Sequence, residues 1–90
     1  MDLNIKKKLL YRSKHRGCKE MDLLLGGFAS NNVDLLDSVG IMEYEQLLSE
    51  EDNDIFNWII GGQEVPLRLK NNKVLHLLLD SQMKKATSIL

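Results

Sequence analysis

The sequence predicts an all-α fold: a compact bundle of five helices in a single domain over residues 1–90, with the tail after about residue 85 fraying. Three observations carry that expectation. Apolar residues recur at helical spacing, as in Met21, Leu24, Leu25 and Phe28, which fall at i, i+3, i+4 and i+7. No stretch alternates apolar and polar residues with β-branched enrichment, so no sheet is expected. Ninety residues also suffice for one modest core and leave no room for a second domain.

The first helix is expected over residues 2–15. Asp2 serves as its N-cap or first-turn acid, and lysines and arginines gather toward its C-terminal end, where the helix dipole favours them. Leu3, Ile5, Leu9 and Leu10 supply an incomplete apolar stripe. Gly17 then stands as a C′ glycine able to take φ > 0. A second helix runs from Cys18 to Phe28, with Glu20 and Asp22 in its first turns and Gly26-Gly27 weakening its last. Residues 29–36 read as a loop pinned to the core by Val33, Leu35 and Leu36.

Asp37 or Ser38 caps a third helix reaching Ser49, with Ile41, Tyr44, Leu47 and Leu48 on one face and Glu43, Glu45 and Gln46 in water. Asp52 or Asn53 caps a fourth, Asp54 to Ile60, which is apolar nearly all round and so deeply packed. Gly61-Gly62 ends it. Pro66 suits the first position of a long last helix with room for a break near Asn71-Asn72. Its Val74, Leu75, Leu77, Leu78, Leu79 and Met83 form a broad apolar face.

Composition narrows the function classes. The single Cys18 excludes an internal disulfide and a multi-cysteine zinc site, and two histidines cannot complete a metal centre. Neither glycine pair matches a nucleotide-binding loop, so no metal, catalytic residue or resident cofactor is expected. His15 and Cys18 lie three apart but have no evident third group to orient the histidine, and His76 reads as a helix-surface residue. No apolar run reaches the roughly 20 residues of a membrane span, and no signal sequence is evident. The expected location is therefore cytoplasmic, or the mitochondrial matrix for a mitochondrial homologue.

Charge is uneven beneath a net −1: residues 1–20 carry +5, residues 21–64 carry −10 with no Lys or Arg, and residues 65–90 carry +4. Lys6-Lys7-Lys8, Arg12, Lys14 and Arg16 could neutralise phosphates and Tyr11 could stack on a base, which makes a nucleic-acid-binding domain the alternative reading. The acidic middle opposes a polyanion and a membrane surface alike, so neither is the favoured partner.

One stretch asks for more than helix punctuation: Arg16-Gly17-Cys18-Lys19-Glu20. A bare glycine lets another backbone approach, an arginine offers a planar five-donor fork, and a glutamate one turn on offers an acceptor. Together they make a small two-signed patch suited to docking a protein, with Tyr11, Arg12, His15 and Lys19 as weaker candidates around it.

These residues, followed by Met21-Asp22 and Phe28, resemble the RGxxE motif of the succinate dehydrogenase flavinylation factors. A later block, Tyr44-Glu45-Gln46-Leu47-Leu48-Ser49-Glu50-Glu51-Asp52-Asn53-Asp54-Ile55-Phe56-Asn57-Trp58-Ile59-Ile60-Gly61, keeps the family's order and spacing. The resemblance covers about residues 3–80. It implies a small all-helical, non-catalytic assembly factor that binds the flavoprotein subunit of succinate dehydrogenase, and of fumarate reductase, and promotes covalent attachment of FAD to a histidine there. FAD then belongs to the partner. Arg16, Gly17 and Glu20 become the partner-binding corner, while Cys18 and Lys19 fall at variable motif positions and Ile55, Phe56 and Trp58 are read as core.

Overall fold

A computed structural model describes residues 3–89, with side chains from 4 to 82. The expectations placed on Asp2, on the side chains of Leu3 and Met83, and on the tail's side chains lie outside the described residues. Five α-helices follow in order: α1 (Leu3–Lys14), α2 (Lys19–Asn32), α3 (Ser38–Leu48), α4 (Asp52–Ile59) and α5 (Lys73–Ile89). Two 3-10 turns, Val33–Leu35 and Leu67–Leu69, complete the regular structure, and no strand occurs among the described residues.

The helices form because each has one face to bury. Leu9 of α1, Met21, Leu25 and Phe28 of α2, and Ile41, Tyr44, Leu47 and Leu48 of α3 meet in one continuous core. Ile55 and Trp58 of α4 and Val74, Leu75 and Leu78 of α5 close it. Where α1's stripe lacks an apolar residue, Ser13 is fully buried instead. Its hydroxyl is satisfied twice, lying 2.7 Å from the Leu9 carbonyl and sharing a 2.5 Å bond with the Tyr44 hydroxyl.

Several expected boundaries move, each for a packing reason. The second helix continues four residues past Phe28, because Ala29 is buried and Gly26 serves a helix contact rather than a stop. A Cβ on Gly26 would lie 3.0 Å from Lys14 Cγ and 3.6 Å from Lys14 Cα, so the bare glycine lets α1 and α2 close together. The expected loop is thus half helix, and of its anchors Val33 is buried, Leu36 is half-buried and Leu35 is 79% exposed.

Asp37 does cap α3, accepting from the Gly40 amide at 2.8 Å. Glu43, expected in water, is half-buried and accepts from the Lys73 amide at 3.2 Å, which helps start α5. The fourth helix begins at Asp52, two residues early, with Glu51 as an N-cap that makes no side-chain bond. Ile60, expected in the core, is 51% exposed. Gly62 takes φ +71°, the left-handed conformation expected where the pair ends the helix.

Pro66 does not open the last helix; it is extended and precedes the second 3-10 turn. The break near Asn71-Asn72 is the true start. Buried Asn72 accepts from the Leu75 amide at 2.9 Å and donates to the Glu43 carbonyl at 2.9 Å, capping α5 while tying it to α3. Of the expected apolar face, Val74, Leu75 and Leu78 are buried, Leu79 is half-buried and Leu77 is exposed.

Candidate functional site at the turn between the first two helices

The turn joining α1 to α2 is held from two sides by carboxylates. Asp22, in the first turns of α2, accepts the backbone amide of Arg16. Asp52, the first residue of α4, accepts the Gly17 amide on Oδ2 at 2.8 Å and the Arg16 guanidinium on Oδ1 at 2.6 Å. Both acids sit near helix N-termini, where the dipole favours negative charge.

Arg16 is not the free fork its position in an exposed turn suggests. Its side chain is only 12% exposed, and all its donating nitrogens face its own chain. Beyond Asp52, Nη1 donates to the Leu48 carbonyl at 2.9 Å and Nη2 to the Glu50 carbonyl at 3.0 Å. The guanidinium therefore satisfies carbonyls left over at the end of α3, the negative pole of that helix. One side chain thus ties the turn after α1 to the stretch from Leu48 to Asp52 that joins α3 to α4.

Gly17 is exposed, but among the described residues only Gly62 has a positive φ, so Gly17 is not the left-handed cap expected of it. Its bareness matters for space. A Cβ there would lie 3.1 Å from Asp52 Oδ2. Cys18 is extended and exposed at the start of α2 and caps nothing with its thiol.

Two open clefts flank Gly17. One, about 580 Å³, is walled by Tyr11 and Arg12 on α1 and His15 just after it, and by Glu51 and Asn53 opposite. The other, about 520 Å³, lies between Glu20 and Met21 of α2 and Asn53 and Phe56 of α4. Gly17, Asp52 and Asn53 line both. Tyr11 and His15 stack face to face, centroids 3.9 Å apart, and a His15 ring nitrogen lies 2.9 Å from the Tyr11 carbonyl. The structure thus brings Tyr11, Arg12, His15, Arg16, Gly17 and Glu20 to one corner, with Lys19 exposed beside it but lining neither cleft.

Sequence reasoning missed Asp52, Asn53 and Phe56, which it read as helix cap and core. Phe56 is only half-buried and floors the second cleft. The available signal was their place in the block carrying the resemblance, but contacts spanning some 35 residues have no local pattern. On the basic face of α1, Lys6 is spent on the Asp34 carbonyl at 3.1 Å. Among the described residues no group of three or more His, Cys, Asp or Glu could hold a metal ion, and no helix is long and apolar enough to cross a membrane.

With that geometry in hand, comparison with known proteins decides the family. The family model described as "Flavinator of succinate dehydrogenase" matches residues 7–82. The chain belongs to that family. It is 52% identical over 62 residues to the "Succinate dehydrogenase assembly factor 2, mitochondrial" of Dictyostelium discoideum, covering 69% of this chain and 44% of that protein. Proteins of the same name in Candida glabrata (38% over 86 residues; 92% of this chain, 56% of theirs) and Arabidopsis thaliana (35% over 77 residues; 86% and 41%) are also similar. The chain spans about half the length of the curated relatives it matches. As a member of the flavinator family it carries the whole corner, from Tyr11 to Phe56, inside the matched region.

Proposed function

We propose that this chain is a non-catalytic assembly factor that docks through the Gly17 corner on the flavoprotein subunit of succinate dehydrogenase, and of fumarate reductase, and promotes covalent attachment of FAD there. Family membership supports the partner, and one structural observation supports the surface. Gly17 is an exposed, side-chain-free ridge between two clefts, held by carboxylates behind it and rimmed by Glu20, Arg12 and Lys19, which are exposed. Gly17 admits the partner's backbone, Glu20 fixes register, and Arg16 holds the ridge from behind.

FAD is assigned to the partner. The flavin supplies the electrophilic carbon and the partner supplies the histidine nucleophile. What this chain's residues do is bind one arrangement of the flavoprotein better than others, raising the population in which nucleophile and electrophile meet. The chain works in whichever compartment its partner folds: the matrix, as the relatives' names suggest, or the cytoplasm of a bacterium.

The nucleic-acid alternative draws no support from the comparisons, and steep salt-dependent binding to DNA or RNA would be needed to revive it. Co-expression of the flavoprotein subunit with and without this chain tests the reading. Acid-stable FAD fluorescence on the subunit should rise several-fold with the chain present; equal fluorescence in both would contradict it.

A further inference from the structure

Arg16 and Gly17 lie between helices, where no helical ladder holds the backbone, and what fixes them comes from other elements. Asp52 holds both, one carboxylate oxygen for each residue, at 2.6 and 2.8 Å. We propose that Asp52 is the positioning residue of the docking surface: from α4 it latches the turn in the shape the flavoprotein recognises, and it acts through Gly17. This rests on the docking role proposed above.

Three features of the corner lead there. A glycine in an untethered turn samples many conformations, and every one that does not match the partner lowers apparent affinity in proportion. Ionised acceptors make the stronger hydrogen bonds, so a carboxylate is well suited to hold an otherwise free amide. The latch also fills space, since Asp52 Oδ2 stands 3.1 Å from where a Gly17 Cβ would be. A side chain at 17 would thus press on the latch from inside the chain, as well as on an approaching partner. The guanidinium of Arg16 has the same inward role: it braces Asp52 against the end of α3 through the Leu48 and Glu50 carbonyls.

The test uses the full chain with Asp52→Asn, nearly isosteric but with an NH₂ where one oxygen accepted. In ¹H–¹⁵N spectra the variant should stay dispersed while the Gly17 amide moves upfield and exchanges faster with solvent. Its affinity for the purified flavoprotein subunit should fall at least about tenfold, as expected if the competent shape drops to a tenth of the population. Arg68→Ala, which removes an exposed ion pair with Glu50, should bind like the unaltered chain. Unchanged affinity of Asp52→Asn overturns the proposal. Should that variant unfold, hydrogen exchange on the unaltered chain decides: the Gly17 amide must be protected relative to an unstructured glycine, and an unprotected one overturns the latch. If the unaltered chain binds no flavoprotein, the docking role falls instead, and the latch stands or falls on the Gly17 amide.

Discussion

The end of α1 and the turn that follows it are tied to α3 at two successive rungs. At the inner rung Ser13 meets Tyr44, both fully buried and neutral, sharing a 2.5 Å hydrogen bond. At the outer rung, three residues on, Arg16 meets the Leu48 carbonyl, with Asp52 neutralising its charge at the rim. The two rungs are neighbours, but their chemistry differs. A polar contact sealed in the core can only specify how the helices register, because nothing reaches it. A charged contact at the rim, backed by the same core, can also shape a surface. The inner rung makes the outer one rigid; the outer one carries the candidate function.

Raising pH breaks the inner rung and should give the largest effect on stability. Burial, partly offset by the Ser13 hydrogen bond, pushes the Tyr44 hydroxyl up from 10.0 to about 12. Between those values the unfolded chain has released a proton that the folded chain still holds, so stability falls as pH rises. The contribution is whole below about pH 10 and lost by passage through about pH 12, roughly 2–3 kcal/mol in all. Urea unfolding followed by circular dichroism from pH 8 to about 12 measures it, and Tyr44→Phe should lose far less over the same range.

Breaking the outer rung should cost less stability and more function. Arg16→Ala removes one ion pair with the partly exposed Asp52 and two hydrogen bonds to carbonyls, for a loss of about 1–2 kcal/mol. Arg16→Lys should fare little better, because an ammonium cannot reproduce the planar fork that reaches three acceptors. Both should sharply lower covalent FAD on a co-expressed flavoprotein subunit. Ser13→Ala sharpens the contrast: it should cost about 1 kcal/mol in unfolding experiments and leave flavinylation by the folded chain intact.

The smallest effects test how the rungs are allowed to approach. Gly27 has open space beyond it, so Gly27→Ala should stabilise α2 by roughly 0.5–1 kcal/mol through helix propensity alone. Gly26→Ala gains the same propensity but presses a Cβ within 3.0 Å of the Lys14 stem, next to the turn. It should fall short of Gly27→Ala, by an amount that thermal melts of the two variants compare directly.

The helices around the inner rung were largely readable from the sequence, but Ser13, a polar residue in α1, gave no sign of its burial against Tyr44. Periodicity marked Met21, Leu25 and Phe28, and Ile41, Tyr44 and Leu47, because burial of one helical face is a local pattern. Asn72 announced the break before α5 for the same local reason, a cap residue ahead of an apolar run. What escaped were decisions made by partners far along the chain. Gly26 looked like a weak point in the last turn of the second helix, whereas Lys14 packs into the space beside it. Asp52 looked like a cap, though its carboxylate is spent on Arg16 and Gly17. Arg16 looked like an outward fork, because an arginine beside a glycine gives no sign of the three acceptors waiting behind it. The motif marked the right corner; only the fold reveals which of its groups face in and which face out.

Gly17→Arg, co-expressed with the flavoprotein subunit, puts the account to its most direct test. The substitution fills the bare ridge between the two clefts while leaving the buried core untouched. Circular dichroism should report a folded helical chain, and acid-stable FAD on the subunit should fall to the level seen with no factor present. A folded Gly17→Arg chain that sustains full covalent flavin would contradict the claim that this corner is where the protein works.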